Sequence, residues 1–360
     1  MIASTRFSVL DRSRTREGHD APRALRDTVD LAREAEALGF HRFWVSEHHG
    51  VPGVAGSAPT VLAAAVAAAT STIRVGTGGV MLPNHRPLVV AEQFGVLASL
   101  FPGRIDMGLG RSVGFTDGVR RALGHGKEDA EDFPGRLAEL LGWIDGTQQA
   151  HPRVHAHPAE GLHIPAYVLA IGEGASVAAA AGLPLVIGDL RGRDKVLRAI
   201  EVYRRDFRPS ARAERPEVIV AGTVAVADTE EAARRLLVPE AWAMAYSRTH
   251  GDFPPLAPAE RVEALTMTPK ERSLYEQGLE GHVYGTEDQV AARLEQAIGE
   301  TGADEVLVTT STYDREALVD SLRRLARIAR PPVRADERDP GLGPVSHAAG
   351  SPRAATGTDA

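Results

Sequence analysis

Short apolar runs alternate along the chain with longer segments of helical pattern. Eight of these runs have the length and composition of buried strands, and each is followed by a helical pattern. Strands that alternate with helices in this way predict parallel pairing. The eight strands are predicted at residues 6–10, 42–46, 73–77, 104–109, 166–171, 185–188, 218–226 and 305–309.

The helices between the strands carry start and stop signals. The first has proline near its start and Gly39 at its end, which is the asymmetry expected of a helix. Asp228 is predicted to cap a later helix. The helices are predicted at residues 22–38, 59–69, 87–100, 133–144, 194–207, 229–237 and 315–329, with a short alanine-rich helix that ends at Gly182.

Eight strand–helix units predict an α/β fold, a (β/α)8 TIM barrel with insertions. The insertions interrupt the repeat at residues 112–132, 146–163 and 238–284. Long segments at the catalytic face of a barrel commonly shape the substrate site. Residues 1–330 are predicted to form this barrel domain. Residues 331–360 lack an apolar period and are predicted to be a disordered tail.

A doubly wound sheet is the competing fold. That fold usually has a glycine-rich phosphate loop after its first strand. Residues 11–20 contain one glycine, Gly18. The barrel is therefore the better prediction.

Composition and charge narrow the function classes. The 360 residues are 43% hydrophobic with a formal net charge of −7, whereas nucleic-acid binding requires a clustered basic face. The sequence has no cysteine, which excludes disulfides, thiolate nucleophiles and cysteine-based metal sites. No apolar run reaches the about 18 residues of a membrane helix, and the first residues lack a signal-peptide pattern. The expected location is the cytoplasm, with no nucleic-acid or membrane partner.

The strongest functional signal lies where three strands end. Residues 43–50 read FWVSEHHG, residues 73–83 read IRVGTGGVMLP, and residues 104–112 read RIDMGLGRS. Each apolar strand is followed by residues that can do chemistry or approach a ligand closely. Functional residues at the C-terminal ends of successive parallel strands are typical of the active-site face of a β/α barrel.

Longer motifs resemble the bacterial luciferase-like flavin monooxygenases. They are EHH at 47–49, VGTGGVMLPNHRPL at 75–88, PGRIDMGLGR at 102–111, YGTEDQVAARL at 284–294 and TGADEVLVTTSTYD at 301–314. The subgroup it resembles is that of the small one-domain members, which include polyketide-tailoring oxygenases. The resemblance implies a barrel that is usually dimeric and uses reduced FMN, delivered by a separate flavin reductase. It also implies that oxygen and reduced FMN form a flavin hydroperoxide, which oxidises an organic substrate.

The resemblance places His48 at the family's active-site histidine beside the flavin. Histidine suits proton transfer near neutrality because its unperturbed pKa is about 6.5. Glu47 is expected to orient His48 or to pair with an arginine, because a buried carboxylate needs a partner. His49 is expected to point in another direction and to act structurally. Metal binding by residues 47–49 is a weaker alternative, since the spacing differs from helical zinc sites and no third ligand is evident.

Gly78 and Gly79 end the third strand, and glycine lets the backbone approach a flavin ring closely. The family carries a non-proline cis peptide at this position, so one is predicted at Gly78-Gly79, with a plain β-bulge as the alternative. Met81 is predicted to contact the cofactor. Asn84 and His85 are predicted to face the flavin or the substrate, or else to form a turn before the next helix.

Arg111 follows the fourth strand, where the family places an arginine for the FMN phosphate. Its guanidinium suits a phosphate. The rest of the phosphate site is predicted in GEGAS at 172–176, which opens a helix whose N-terminal amides can bind an anion. The family often has serines in this loop, and this chain has one. The predicted cofactor-binding residues of the loop are Gly172, Glu173, Gly174 and Ser176.

Other polar and aromatic residues have structural interpretations beside functional ones. Arg136 is a second phosphate candidate or a solvated helix residue, and Asp189 is a weaker site candidate. Trp44 and Trp143 are predicted to be core residues. The spacing of four histidines fits an irregular loop better than a metal site. They are His151, His155, His157 and His163.

Three functions stay open from the sequence. The first is a two-component, FMN-dependent monooxygenase with a bulky organic substrate, for which an aromatic polyketide of antibiotic biosynthesis is a candidate. The second is a deazaflavin-dependent hydride-transfer enzyme on the same barrel, since fold does not determine function. The third is a non-catalytic flavin-binding protein, whose signature would be the loss of His48 or Arg111. Both residues are present.

Overall fold

A computed structural model of the chain describes residues 1–170, 172, 174–188 and 192–329. The predicted tail at 331–360, Glu173 and Asp189 lie outside these residues. The strands are β1 (Arg6–Asp11), β2 (Arg42–Val45), β3 (Arg74–Thr77), β4 (Val80–Met81), β5 (Ile105–Gly110), β6 (Ala166–Ala170), β7 (Leu185–Gly188), β8 (Val218–Gly222), β9 (Val224–Val226), β10 (Val283–Gly285) and β11 (Glu305–Val308).

Eight of these strands close into a parallel barrel. Their order around the barrel is β1, β2, β3, β5, β6, β7, β8 and β11, and β11 pairs with β1. The short β4 continues from β3 beyond Gly78-Gly79 and pairs with the end of β5. The predicted TIM barrel is therefore confirmed.

The helices of the described residues surround this barrel. They are α1 (Ala21–Ala37), α2 (Pro59–Ala69), α3 (Pro87–Leu100), α4 (Asp117–Leu123), α5 (Phe133–Asp145), α6 (Gly174–Ala181), α7 (Arg193–Asp206), α8 (Glu230–Arg235), α9 (Val238–His250), α10 (Ala259–Glu263), α11 (Pro269–Leu279), α12 (Glu287–Thr301) and α13 (Arg315–Ala329). Helices α2, α3 and α13 have the predicted bounds. None of these helices is both long and apolar enough to cross a membrane.

The predicted strand at 218–226 is wrong as a single element. It divides into β8, which belongs to the barrel, and β9, which pairs with β10 outside it. Side chains from elsewhere take the backbone groups of β9: Thr310 accepts from the Val224 amide at 3.0 Å, and Ser321 accepts from the Val226 amide at 2.9 Å. The backbone of β9 therefore bonds these side chains and β10 instead of a strand of the barrel.

The predicted cap at Asp228 is also wrong. Thr229 caps α8, because its side chain accepts a hydrogen bond from the Ala232 amide at 3.1 Å. Asp228 is one residue too early for this bond and instead lies 2.7 Å from Arg324 in an exposed ion pair. A side-chain cap has to bond an amide two or three residues further on.

The insertion at 238–284 is mostly helical. It contains α9, α10 and α11, and it buries a small apolar cluster of its own beside the barrel. The cluster includes Ala225, Leu237, Val238, Ala241, Ala245, Val262, Tyr275 and Leu279. The insertion at 112–132 contains α4 and a short 3-10 helix at Glu128–Asp132. These insertions follow β5 and β8 and so lie on the side of the barrel where strands end.

A buried charge network closes the opposite end of the barrel, where the strands begin. Arg42 donates to Asp106 and to the Tyr167 hydroxyl, both at 2.8 Å, and lies 2.8 Å from Glu305. Burial raises the pKa of Glu305. Trp44, which is fully buried, donates to Asp106 at 3.2 Å. The core positions predicted for Trp44 and for Trp143 are confirmed.

Gly108→Ala is expected to lower the free energy of unfolding by about 3 kcal/mol, because its Cβ has no space. A Cβ at this position would lie 1.9 Å from the carbonyl oxygen of Thr77 on β3. Gly110→Ala is the matched control on the same strand, since its Cβ would meet nothing closer than 3.9 Å. Urea unfolding of both variants measures the difference, and equal stability would contradict the packing described for β3 and β5.

Candidate active site

Glu47 binds a cluster of groups at the mouth of the barrel. It directly follows Ser46 at the end of β2, and its side chain is fully buried. The Nε2 atoms of His49 and His85 lie 2.8 Å and 2.9 Å from its Oε1. The Met81 amide donates to Oε2 at 2.9 Å, and Asn84 Nδ2 donates to Oε1 at 3.4 Å. Glu47 therefore joins the loop after β2 to the loop after β4.

These contacts explain the protonation state of Glu47. Burial alone would raise the pKa of its carboxyl group, but hydrogen bonds from His49 and His85 outweigh burial and lower the pKa to about 2. Glu47 is therefore a carboxylate at neutral pH. The expectations that it orients His48 or pairs with an arginine are wrong, since its charge is taken up by the two imidazoles and the amides.

Asn84 and His85 direct polar groups towards this carboxylate. The arrangement also supplies the third ligand that the sequence did not reveal. One ligand atom from each of Glu47, His49 and His85 lies within 4.8 Å of the others. The same atoms form hydrogen bonds with one another, which accounts for their proximity without an ion.

His48 lies beside this cluster and is held separately. Its amide donates to the Gly56 carbonyl at 2.9 Å, and its Nδ1 lies 3.2 Å from Ser46 Oγ. His48 and His49 both line the same cavity, but their ring nitrogens have different partners, Ser46 for His48 and Glu47 for His49. Burial lowers the pKa of His48 to about 4, assisted by the charges of Arg12 and Arg14. His48 is therefore neutral at pH 7.

Two arginines and one glutamate form a partly buried group near His48. Arg12 lies 2.9 Å from one oxygen of Glu240, and Arg14 donates to the other at 3.0 Å. Burial would raise the pKa of Glu240, but Arg12 and Arg14 lower it. Burial lowers the pKa of Arg14 to about 10, despite the nearby charge of Glu240.

Arg14 also contacts the loop after β2 and the insertion after β8, and it thereby connects three loops at the barrel mouth. Its Nη1 donates to the Gly53 carbonyl at 2.7 Å, and its guanidinium lies 4.5 Å from the ring centre of Phe253. The Gly53 amide donates to the Phe253 carbonyl at 2.7 Å. The insertion after β8 is thus tied to the loops that follow β1 and β2.

The peptide bond Gly78-Gly79 is cis, so this prediction is confirmed. A side chain at Gly79 would place its Cβ 2.9 Å from the carbonyl oxygen of Gly108. Only glycine fits this close approach between β4 and β5. Met81 follows directly on the wall of the cavity that His48 lines.

The cavity beside His48 has a volume of about 310 Å³ and is mostly apolar. Phe115 and Phe253 lie on it, with ring centres 6.3 Å apart in an edge-to-face arrangement. A second cavity of about 220 Å³ lies between β8, α9 and the end of β11. Arg12 and Met244 line both cavities. The two cavities are therefore neighbours at one barrel mouth.

The residues predicted to bind phosphate lie at the ends of β5 and β6. Arg111 follows β5 and is exposed, and it makes no ion pair with any residue in the described part of the chain. Gly172 is exposed with φ of 68°, Gly174 is the first residue of α6, and Ser176 is exposed. Arg111, Gly172 and Ser176 are therefore accessible to a ligand, whereas Gly174 is buried.

Arg136 and the other histidines have structural contacts. Arg136 donates to the His85 carbonyl at 3.0 Å and lies 3.3 Å from Asp132, so it supports the His85 loop. His151 stacks on Trp143 with ring centres 6.0 Å apart. His155 lies 2.7 Å from Glu160 and stacks with His157.

Comparison with known proteins identifies the family. The sequence profile of the luciferase-like monooxygenases matches residues 5–305. The chain belongs to the luciferase-like monooxygenase family. A luciferase-like monooxygenase of Escherichia coli (strain K12) is 38% identical over 319 residues, which cover 88% of this chain and 94% of that protein. The N-acetyl-S-alkylcysteine monooxygenase of Bacillus subtilis (strain 168) is 36% identical over 243 residues, which cover 65% of this chain and 71% of that protein.

Three solved structures share the fold of this chain. The crystal structure of apo-MsnO8 is 32% identical with a TM-score of 0.82, covering 90% of this chain and 98% of that chain. The oxygenating constituent of 3,6-diketocamphane monooxygenase in complex with FMN is 17% identical with a TM-score of 0.68, covering 92% and 99%. An F420-dependent secondary alcohol dehydrogenase is 15% identical with a TM-score of 0.66, covering 91% and 100%. The last two are similar in fold alone.

Sequence reasoning missed three residues of this luciferase-like monooxygenase. Arg12, Arg14 and Glu240 were not among the predicted site residues, although their side chains meet beside His48. The available signal was the run DRSRTREG after the first strand, where arginine recurs at every second position. Glu240 carried no signal, because 226 residues separate it from Arg14.

Glu47→Gln is expected to lower the free energy of unfolding by about 2–3 kcal/mol at pH 7, because the charge-assisted hydrogen bonds are lost. The pKa of Glu47 is about 2 in the fold and 4.5 ordinarily. Its stabilisation is therefore complete above pH 4.5 and is lost as the pH falls towards 2. Urea unfolding at several pH values measures the difference between the two proteins, with the exposed Glu34→Gln as control. A difference that does not shrink in acid would contradict this ionisation.

Proposed function

We propose that this luciferase-like monooxygenase is a two-component, FMN-dependent enzyme that oxygenates a bulky organic substrate with O2. The observation that carries the proposal is the position of His48. Its ring lies on an apolar cavity at the barrel mouth, and Met81, two residues after the cis peptide Gly78-Gly79, lines the same cavity. A neutral imidazole in such a place can hold a reacting oxygen by a hydrogen bond without adding charge.

The residues at the ends of β5 and β6 fit a flavin phosphate. Arg111 is accessible and has no competing carboxylate among the described residues. The amides at the start of α6 and the positive φ of Gly172 suit an anion. Arg111, Gly172, Gly174 and Ser176 would hold the phosphate, and Met81 with Gly78-Gly79 would face the ring system. Glu173, in the same loop, lies outside the described residues.

When bound, reduced FMN would supply the electrons that activate O2. The protein's own contributions follow from the contacts at the mouth. Ser46 holds Nδ1 of His48, which leaves Nε2 to bond the reacting oxygen. Glu47 fixes Met81 and His85 on the loop that carries the cis peptide. Phe115 and Phe253 give the cavity an aromatic wall.

We also propose that a separate flavin reductase supplies reduced FMN and that the functional unit is a homodimer. The proposed substrate is a bulky compound such as an aromatic polyketide of secondary metabolism. The apolar cavity and its two phenylalanines support a bulky, apolar substrate.

Hydride transfer with a deazaflavin coenzyme is the second candidate, because enzymes of that chemistry have the same fold. Anaerobic calorimetric titration with reduced FMN and with reduced deazaflavin coenzyme separates the two. The proposal expects reduced FMN to bind at least about tenfold more tightly, a difference of 1.4 kcal/mol. Preferred binding of the deazaflavin would overturn it.

A further inference from the structure

The cavity beside His48 has an aromatic side and a cationic side. Phe115 and Phe253 form the aromatic side, and the backbone from Ser112 to Gly114 continues it. Phe115 is half exposed, at 52%, although it is a large apolar side chain. A flat apolar body placed against these rings would cover them.

The cationic side consists of Arg12 and Arg14. Both guanidiniums depend on the single carboxylate of Glu240. Glu47, the other buried carboxylate at the mouth, is engaged by His49 and His85 and makes no ion pair with either arginine within the described residues. The two arginines therefore carry one positive charge more than their shared partner neutralises.

Arg12 is the arginine that a ligand can reach. Its side chain is 23% exposed, against 2% for Arg14. It lines both cavities of the mouth, and its Nε has no hydrogen-bond partner in the described structure. Its Nη2 bonds weakly to Ser311 Oγ, at 3.2 Å, and to the Thr309 carbonyl, at 3.3 Å. A partly buried cation with weak hydrogen bonds and one unsatisfied donor favours an anionic partner.

The geometry points to a substrate of one chemical class: an organic acid whose flat apolar ring lies against Phe115 and Phe253 and whose ionised oxygen binds Arg12. This inference rests on the proposed function, because it names the substrate of the same site. An ionised carboxylate and an ionised phenol present the same chemistry to Arg12.

A pair of matched probes tests the inference without any reaction. The probes are 2-naphthoate and 2-naphthamide, which have the same ring and differ in charge. Isothermal titration calorimetry with the full chain at pH 7.5 is expected to show about tenfold tighter binding of the acid, from one charge-assisted hydrogen bond. The preference should shrink as salt is raised, because the pair is partly exposed. Equal affinities, or no binding of either probe, would overturn the inference.

Variants locate the charge that is responsible. Arg12→Gln should abolish the preference for the acid, and Arg12→Lys should keep most of it. Arg23→Gln removes one positive charge from an exposed position on α1 and should change nothing. If Arg12→Gln does not fold, the salt dependence of the unaltered protein decides the question. A preference that survives in folded Arg12→Gln would contradict the assignment.

A last arm separates substrate from flavin. The acid is titrated again, anaerobically, with reduced FMN present at saturation. Simultaneous binding supports a substrate site, whereas one-for-one displacement would assign the charge to the flavin and overturn the inference. If FMN itself fails to bind, the proposed function fails, while the acid preference of the cavity is still measured. The two failures are therefore distinguishable.

Discussion

His48→Ala is expected to lower the rate of coupled substrate oxygenation by about 10²–10³-fold, which is the range for losing one positioned hydrogen bond to a reacting oxygen. Flavin affinity should change little, because the proposed phosphate contacts lie at the ends of β5 and β6 and do not include His48. Product formation and peroxide release are measured together under saturating reduced FMN. The expected pattern is loss of product with peroxide released instead.

His48→Gln is the informative companion variant. Glutamine keeps a neutral donor and acceptor at this position, so it should retain more product than alanine if His48 acts as a neutral hydrogen-bonding group. Ser46→Ala removes the partner of Nδ1 and should have a smaller effect of the same kind. Undiminished product formation in His48→Ala would remove His48 from the mechanism.

The pH dependence of the reaction follows from the environment of His48. Burial and the charges of Arg12 and Arg14 lower its pKa to about 4 from 6.5, while Glu240 and Glu47 act in the opposite direction. The neutral imidazole therefore predominates above pH 4, and the activity that depends on it is lost only as the pH falls through 4. The pH profile of the rate, measured in the FMN complex, should therefore show no ionisation near pH 6.5 that disappears in His48→Gln. Such an ionisation would contradict the assignment of His48 as a buried, neutral imidazole.

Arg111→Ala is expected to raise the dissociation constant for reduced FMN by about 10–100-fold, the equivalent of one charge-assisted phosphate contact. Arg111 lies at the end of β5, exposed and free of carboxylate partners within the described residues. Loss of its side chain therefore removes a ligand contact without breaking an ion pair. Fold stability should be unchanged.

Reduced riboflavin provides the control for this prediction, because it has the same ring system and lacks the phosphate. Its dissociation constant should change less than about twofold in Arg111→Ala. Arg121→Ala removes an exposed arginine from α4 and should leave both affinities unchanged. Equal weakening of FMN and riboflavin would contradict the assignment of Arg111 to the phosphate.

The barrel and the position of its active face could be predicted from the sequence because the signals are local. Each strand is a short apolar run, and residues such as His48, Gly78 and Arg111 follow directly after strand ends. Proline marks the starts of α2 and α3. The cis peptide came from the family resemblance of the Gly78-Gly79 motif. Parallel strands then bring these residues to one face regardless of how far apart they lie in sequence.

The contacts within the site could not be predicted, because they depend on side-chain direction and on distant elements. Adjacent residues Glu47 and His48 have different partners, and no local pattern tells which of them His85 binds. Glu240 lies in the insertion at 238–284, for which no helix was predicted, yet this part of the insertion folds as α9 and brings a carboxylate to Arg12 and Arg14. The ordinary pKa of histidine was equally misleading for His48, since burial lowers it.

The most direct test of the proposed function is a stopped-flow experiment. The protein is saturated anaerobically with reduced FMN and mixed with oxygenated buffer, and the absorbance is followed. We expect a transient flavin species that is distinct from both reduced and oxidised FMN, longer-lived than in free solution and shorter-lived when substrate is present. Oxidation of FMN at the rate found in free solution, with no transient, would contradict the monooxygenase assignment.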